Sequence, residues 1–139
     1  MIVLDTNVLS ETLRPAPDAL ALAWLAQQPR SALFTTTVTR AELLYGVRLL
    51  PDGQRKAALM EAIHGIFASD MAGQVLGFDN DAADAYAEIA ASRKLAGKPI
   101  SQFDAMIAAI AKSRGASLAT RNVKDFVDCG ITVIDPWKR

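Results

Sequence analysis

Short runs that are apolar at every position alternate with longer stretches of helical periodicity along this chain. Ile2-Val3-Leu4 is the first run, and Ala32-Leu33-Phe34 with the threonines behind it is the second. Val75 to Phe78 is a weaker third, and Ser117-Leu118-Ala119 and Ile131 to Ile134 complete the set. Continuous apolarity, rather than alternation, suits strands covered on both faces of a parallel sheet. Between these runs the spacing predicts helices over 18–28, 39–50, 52–70, 81–95 and 101–114. Pro15, Pro17 and Pro51 break the pattern, while Gly97-Lys98-Pro99 and Gly115 stand where the last two helices should stop. The 51–73 segment reads as a helical pair rather than a crossover. Strands alternating with helices predict a three-layer α/β/α fold around a central, mostly parallel sheet of about five short strands with right-handed crossovers. No repeat, low-complexity tract or linker is visible, so 1–139 is read as one domain.

Composition narrows the class. At 51% hydrophobic and 22% charged residues, the 139-residue chain is expected to be soluble and globular. No run approaches the ~18 apolar residues of a membrane span. The start, Met-Ile-Val-Leu followed by Asp5, lacks the basic and long apolar parts of a signal peptide. The single cysteine, Cys129, fits a reducing cytoplasm. Fifteen basic and fifteen acidic side chains cancel, so a nucleic-acid partner would have to be met by a local basic patch. With His64 alone, a two-histidine ribonuclease cannot be built, and a Cys/His zinc site is hard to assemble from one of each. Hydrolytic chemistry would have to rest on carboxylates.

Three acids stand out. Asp5 directly follows the first apolar run, beyond the carboxyl end of a strand, where open α/β sheets collect ligands. It could equally cap a helix that starts near Val8. Glu42 in Thr39-Arg40-Ala41-Glu42 matches a capping box, and Ser101-Gln102-Phe103-Asp104 has the same shape. The helix-face neighbours weaken that reading: Ile107, Ala108 and Ala111 for Asp104, and Tyr45, Gly46 and Leu49 for Glu42. Both acids are therefore expected above stripes that pack inward. A buried carboxylate needs a partner, and acids from separate elements can share one divalent cation. Oxygen ligands alone point to a hard ion, Mg²⁺ or Mn²⁺, of the kind that supports phosphodiester hydrolysis.

Several segments then resemble a known family. Met1-Ile-Val-Leu-Asp5-Thr6-Asn7-Val8-Leu9-Ser10 is similar to the opening of PIN-domain proteins, especially VapC-type toxins of bacterial toxin–antitoxin pairs and their FitB-like relatives. Thr39-Arg-Ala-Glu42-Leu-Leu-Tyr-Gly46, Asp104-Ala-Met-Ile-Ala-Ala, Ala119-Thr-Arg-Asn122-Val-Lys-Asp125-Phe126 and the closing Pro136-Trp137 follow in order, so the resemblance spans essentially the whole chain. It implies a Mg²⁺-dependent endoribonuclease with a PIN-like sandwich fold, acting as a growth-inhibiting toxin and assembled as a homodimer. It also implies a VapB-type antitoxin whose tail covers the acidic pocket and which alone reaches operator DNA. The family roles fall on Asp5, Glu42 and Asp104 as the catalytic and metal-holding cluster, with Thr6 as the supporting hydroxyl. Many members carry a fourth acid where this chain has Asn122; Asp125 could supply that carboxylate if a helical turn runs through the stretch, or could be a surface cap.

Other features have ordinary explanations. His64 lacks any ligating context, and Asp79, Asp81 and Asp84 suit a helix start. Arg40, Arg48, Arg121 and Lys124 flank the acids and are candidates for RNA phosphates. Trp24, Leu25, Leu9 and Leu13 form either an apolar strip for a partner or part of the core, and Trp137 is expected to seal the fold. Two other functions compete: a catalytically weak PIN-like binding module, favoured by Asn122, and a receiver-like Mg²⁺-binding signalling domain. The second would want paired acids after the first strand, which Asp5-Thr6-Asn7 does not provide.

Overall fold

The computed structural model describes residues 1–138. Strand β1 (Ile2–Leu4) leads into helices α1 (Thr6–Thr12) and α2 (Ala19–Gln27), and β2 (Leu33–Thr36) leads into α3 (Thr37–Arg48) and α4 (Gln54–Gly65). Strand β3 (Val75–Leu76) precedes α5 (Asn80–Leu95) and α6 (Gln102–Ser113). Strand β4 (Ser117–Ala119) is joined to β5 (Val133–Ile134) through a single 3₁₀ turn at Val123–Phe126. Every pairing is parallel and the spatial order is β3-β2-β1-β4-β5. The chain lays strands outward from β1 on one side and then returns to its other side. The reversal falls between β1 and β4, and at such a point the outgoing loops diverge and leave a crevice.

Both sheet faces are covered, which is why the strand runs are apolar throughout. Val3, Leu76 and Leu118 belong to a core shared with α5 and α6, whereas Ile2, Leu4, Leu33, Val75 and Ala119 belong to a second core with α1, α3 and α4. Helix α6 is packed almost all round: Ala105 and every residue from Ile107 to Ala111 are buried. Its alanines, with Ala82 and Ala85 of α5, let these two helices pack closely along each other. Asp18, Asp79 and Ser101 cap α2, α5 and α6 by accepting from Ala21 N (3.0 Å), Ala82 N (2.9 Å) and Asp104 N (3.3 Å). Gly97 (φ 73°) and Gly115 (φ 65°) take the left-handed conformation just beyond α5 and α6.

Four expectations change. Helix α3 starts at Thr37 because the Thr36 hydroxyl accepts from Thr39 N (3.0 Å), so Thr39 is a buried first-turn residue and no Thr39–Glu42 capping box forms. This phase turns the stripe below Glu42 outward: Tyr45 and Leu49 are each 67% exposed, and Val38, Leu43 and Val47 face the cores instead. The 51–73 segment is one helix, α4, continued by a π turn at Ile66–Asp70 that carries Ile66 and Phe67 into the core, and it forms part of the β2–β3 crossover. Strands β3 and β5 are two residues each, shorter than their apolar runs. Of the two readings of Leu9, Leu13, Trp24 and Leu25, core packing holds: Leu9 is buried in the second core and the other three are partly buried against it, Leu13 also bordering an open groove.

Ile107 is fully buried among α5, β1 and β4 neighbours. Ile107→Ala is expected to lower the unfolding free energy by about 2–5 kcal/mol, read as a lower urea midpoint with an unchanged denaturant slope.

Candidate active site at the β1–β4 crevice

Asp5 leaves β1 at the reversal point, its backbone N–H donating to Ala119 O (2.9 Å) of β4. It caps α1, one of the two readings the sequence offered, and it also lines the crevice that the other reading requires. Oδ1 accepts from Thr6 N (2.8 Å) at the start of α1, and Oδ2 accepts from the Thr120 hydroxyl (2.8 Å). Thr120 Oγ1 also accepts from Asn7 Nδ2 (3.2 Å) and from Asn122 N (3.1 Å), while Asn7 Oδ1 accepts from Arg121 N (3.2 Å). Thr6 reaches the other way, its hydroxyl donating to Glu42 Oε1 (2.7 Å) with Thr39 Oγ1 3.1 Å away. One chain of short-range bonds thus links Glu42, Thr6, Asp5, Thr120 and Asn122 across three elements.

The electrostatics follow from burial. Asp5 is 5% exposed, and desolvation pushes its carboxyl up to about 6, opposed by the Thr120 and Thr6 hydrogen bonds and reinforced by the charges of Asp104 and Glu42. Asp104, half-buried in the first turn of α6, is raised chiefly by burial and then by Asp125; the Ser101 hydroxyl and Arg93 act against this. A cleft of about 430 Å³ is walled by Asp5, Thr6, Glu42, Arg14, Arg121 and Asn122. A smaller recess of about 200 Å³ holds Asp104 and Asp125 with Arg93 and Ser101. The turn at Val123–Phe126 is the one the Asp125 reading required, with Asp125 N donating to Asn122 O (3.0 Å).

Among the described residues no three His, Cys, Asp or Glu side chains are gathered closely enough to hold an ion by themselves. The donor set is nonetheless all oxygen, with a costly buried carboxylate at its centre. Mg²⁺ keeps several waters and takes one or two carboxylates, so the site fits a hydrated hard ion rather than a closed cage.

Sequence reasoning passed over Thr120, Asn7, Arg14 and Glu11. The signal for Thr120 was in the register: it follows Ala119 as Asp5 follows Leu4, and Leu4 pairs with Ala119. Glu11 is 4% exposed, pairs with Arg14 (3.2 Å) and accepts from Asp18 N (2.8 Å), fixing one wall of the cleft. Of the basic candidates, Arg121 lines the cleft and stacks over Trp137 (5.3 Å to the ring centroid), whereas Arg40 lies over Phe67.

Because the folded state holds Asp5 protonated up to about pH 6 while the unfolded state releases that proton near the ordinary carboxylate value, the metal-free protein loses stability as pH rises between those values. Asp5→Asn in EDTA is expected to remove this decline, and above the window to leave the variant on the order of 3 kcal/mol more stable than wild type. Urea midpoints for both proteins at about pH 4.5 and 7.5 check the sign.

A PIN domain family model matches residues 2–128. The chain is 40% identical to a VapC ribonuclease of Sinorhizobium fredii and 39% identical to Toxin FitB of Neisseria gonorrhoeae, in each case over 99% of both chains. A solved structure of FitAB bound to an IR36 DNA fragment superposes with a TM-score of 0.93 at 38% identity, covering 100% of this chain and 97% of that one. The family model over most of the chain and the full-length similarity agree: the chain belongs to the PIN domain family.

Proposed function

We propose that this protein is a divalent-metal-dependent endoribonuclease that acts as the toxin of a VapBC-type pair. The observation that carries this reading is the buried Asp5 carboxylate at the strand reversal, tied through Thr6 to Glu42 and close enough to Asp104 for their charges to raise it. PIN nucleases in general depend on a divalent metal. Asp5, Glu42 and Asp104 would hold Mg²⁺, with Mn²⁺ as a substitute. Such an ion would offset phosphate charge and ease ionisation of water.

The protein's own groups divide the remaining work. Thr6 fixes Oε1 of Glu42 and, among the described residues, leaves Oε2 unpartnered and able to take a proton from an attacking water. Arg121, and Arg14 from its pair with Glu11, stand on the cleft wall and can meet RNA phosphates. Asn122 presents an amide where the family resemblance leads one to expect an acid, and its backbone N–H donates to Thr120 Oγ1. Asp125, beside Asp104 in the smaller recess, is our candidate for the missing carboxylate.

Partners follow from the same surface. A groove of about 410 Å³ runs between α1, α3 and α4, lined by Leu13, Leu43, Val47, Leu50 and Leu59, and ends at Thr6 and Glu42. It suits an antitoxin segment that fills the groove and covers the acids, as antitoxin complexes among the structural neighbours suggest. We infer a homodimer in such a complex, with operator DNA contacted through the antitoxin. No helix of the described residues is long and apolar enough to cross a membrane; a cytoplasmic location accords with one unpaired cysteine. The weaker-binding-module alternative rests on Asn122 alone.

Cleavage of a labelled RNA with Mg²⁺ and with EDTA tests the activity. Asp5→Asn and Asp104→Asn are each expected to lower the rate about 100-fold or more and to relieve growth inhibition while retaining the fold; full activity in either would remove that residue from the site. Millimolar Mg²⁺ or Mn²⁺ is expected to raise the wild-type melting temperature by about 2–4 °C over EDTA, and Asp125→Asn to weaken that response less than Asp104→Asn does. An unchanged melting temperature contradicts the shared site.

A further inference from the structure

Arg93 lies in the last turn of α5 and is 6% exposed, yet among the described residues it forms no ion pair. A guanidinium that deep is costly unless its donors are used, and here they serve two separate segments. Nε donates to Lys98 O (2.7 Å), whose own N–H returns to Arg93 O (2.9 Å). Nη1 donates to Asp125 O (2.9 Å) and Val127 O (3.0 Å) and lies 3.6 Å from Cys129 Sγ. Lys98 belongs to the connection that delivers Ser101 and Asp104 to the start of α6. Asp125 and Val127 belong to the loop between β4 and β5, in which Asp128 holds a left-handed φ of 59°. No other side chain in the described residues is bonded to both of these segments.

From this geometry we propose that Arg93 is a positioning residue: its planar fork locks the Asn122–Cys129 loop onto the Lys98–Ser101 connection, and so fixes Asp125 and Asn122 relative to Asp104. It borders the smaller recess beside Asp104, but its bonds there go to the backbone carbonyls of Asp125 and Val127 rather than to either carboxylate. A lysine in its place keeps the charge but cannot direct donors to both segments at once. The consequence for turnover rests on the ribonuclease reading above; the consequence for the loop does not.

Cys129, the only cysteine, is 2% exposed under this loop and reports its opening. Full-length wild type, Arg93→Lys, Arg93→Met and a control, Ile66→Ala in the other core, would be compared for melting temperature, for the rate of Cys129 modification by a disulfide reagent under native conditions, and for kcat and KM on RNA. Both Arg93 variants are expected to expose Cys129 about tenfold faster and to lose about tenfold in kcat, with KM within about twofold and metal present. The control should lose melting temperature without either change. Labelling no faster than in the control, or a kcat loss no larger, overturns the proposal. If Arg93→Met does not fold, Arg93→Lys alone decides by the same two readouts. If wild type cleaves no RNA, the ribonuclease reading fails and the labelling rates still decide whether the clamp exists.

Discussion

A carboxylate taken out of water at the point where a parallel sheet reverses direction is the constraint from which the other features follow. Asp5 is positioned by backbone: the amide holds Ala119 of the neighbouring strand, and the side chain caps the helix that begins one residue later. Its two oxygens are thereby held on the Thr6 amide and the Thr120 hydroxyl at the wall of the crevice. The Thr6 amide and the Thr120 hydroxyl lower the cost of its charge but do not cancel the desolvation, so the carboxyl is pushed up to about 6. Under the proposed function a cation would relieve this cost, and the charges of Asp104 and Glu42, which raise Asp5 further, would add to its attraction.

The surrounding structure keeps that arrangement stiff. Four threonines, Thr35, Thr36, Thr39 and Thr120, are fully buried at strand ends and helix starts, where their hydroxyls bond to one another, to backbone or to the acids. Such short β-branched side chains fill the space with few rotamers to lose. Glu42 is therefore held through a hydroxyl rather than through an arginine, which would have neutralised it. On the far side, a buried cation without a carboxylate partner, Arg93, is spent on carbonyls and tethers the loop carrying Asn122 and Asp125.

The architecture was legible because both-face burial leaves a clear pattern: five apolar runs mark the five strands, and proline, glycine and Asx or serine caps mark most helix ends. Asp5 and Asp104 were legible from position and from the apolar face beneath Asp104. Glu42 was singled out for a partly mistaken reason, since α3 begins two residues early and turns Tyr45 and Leu49 to solvent. Thr36 and Thr39 offer equivalent hydroxyls, and only tertiary packing decides which one caps. Thr120 and Asn7 were missed because their roles depend on which strands are neighbours, and strand order is not written in local periodicity. Arg93 looked like one more helix-end cation; its burial arises from the return of a loop some thirty residues away.

The most direct test of the central claim is a carbon-detected NMR titration of the Asp5 side-chain carboxyl, run in EDTA and again with millimolar Mg²⁺. The account predicts a midpoint near the value of about 6 without a cation and a fall well below it when Mg²⁺ is present. A midpoint in the ordinary carboxylate range in EDTA, unmoved by Mg²⁺, would contradict it.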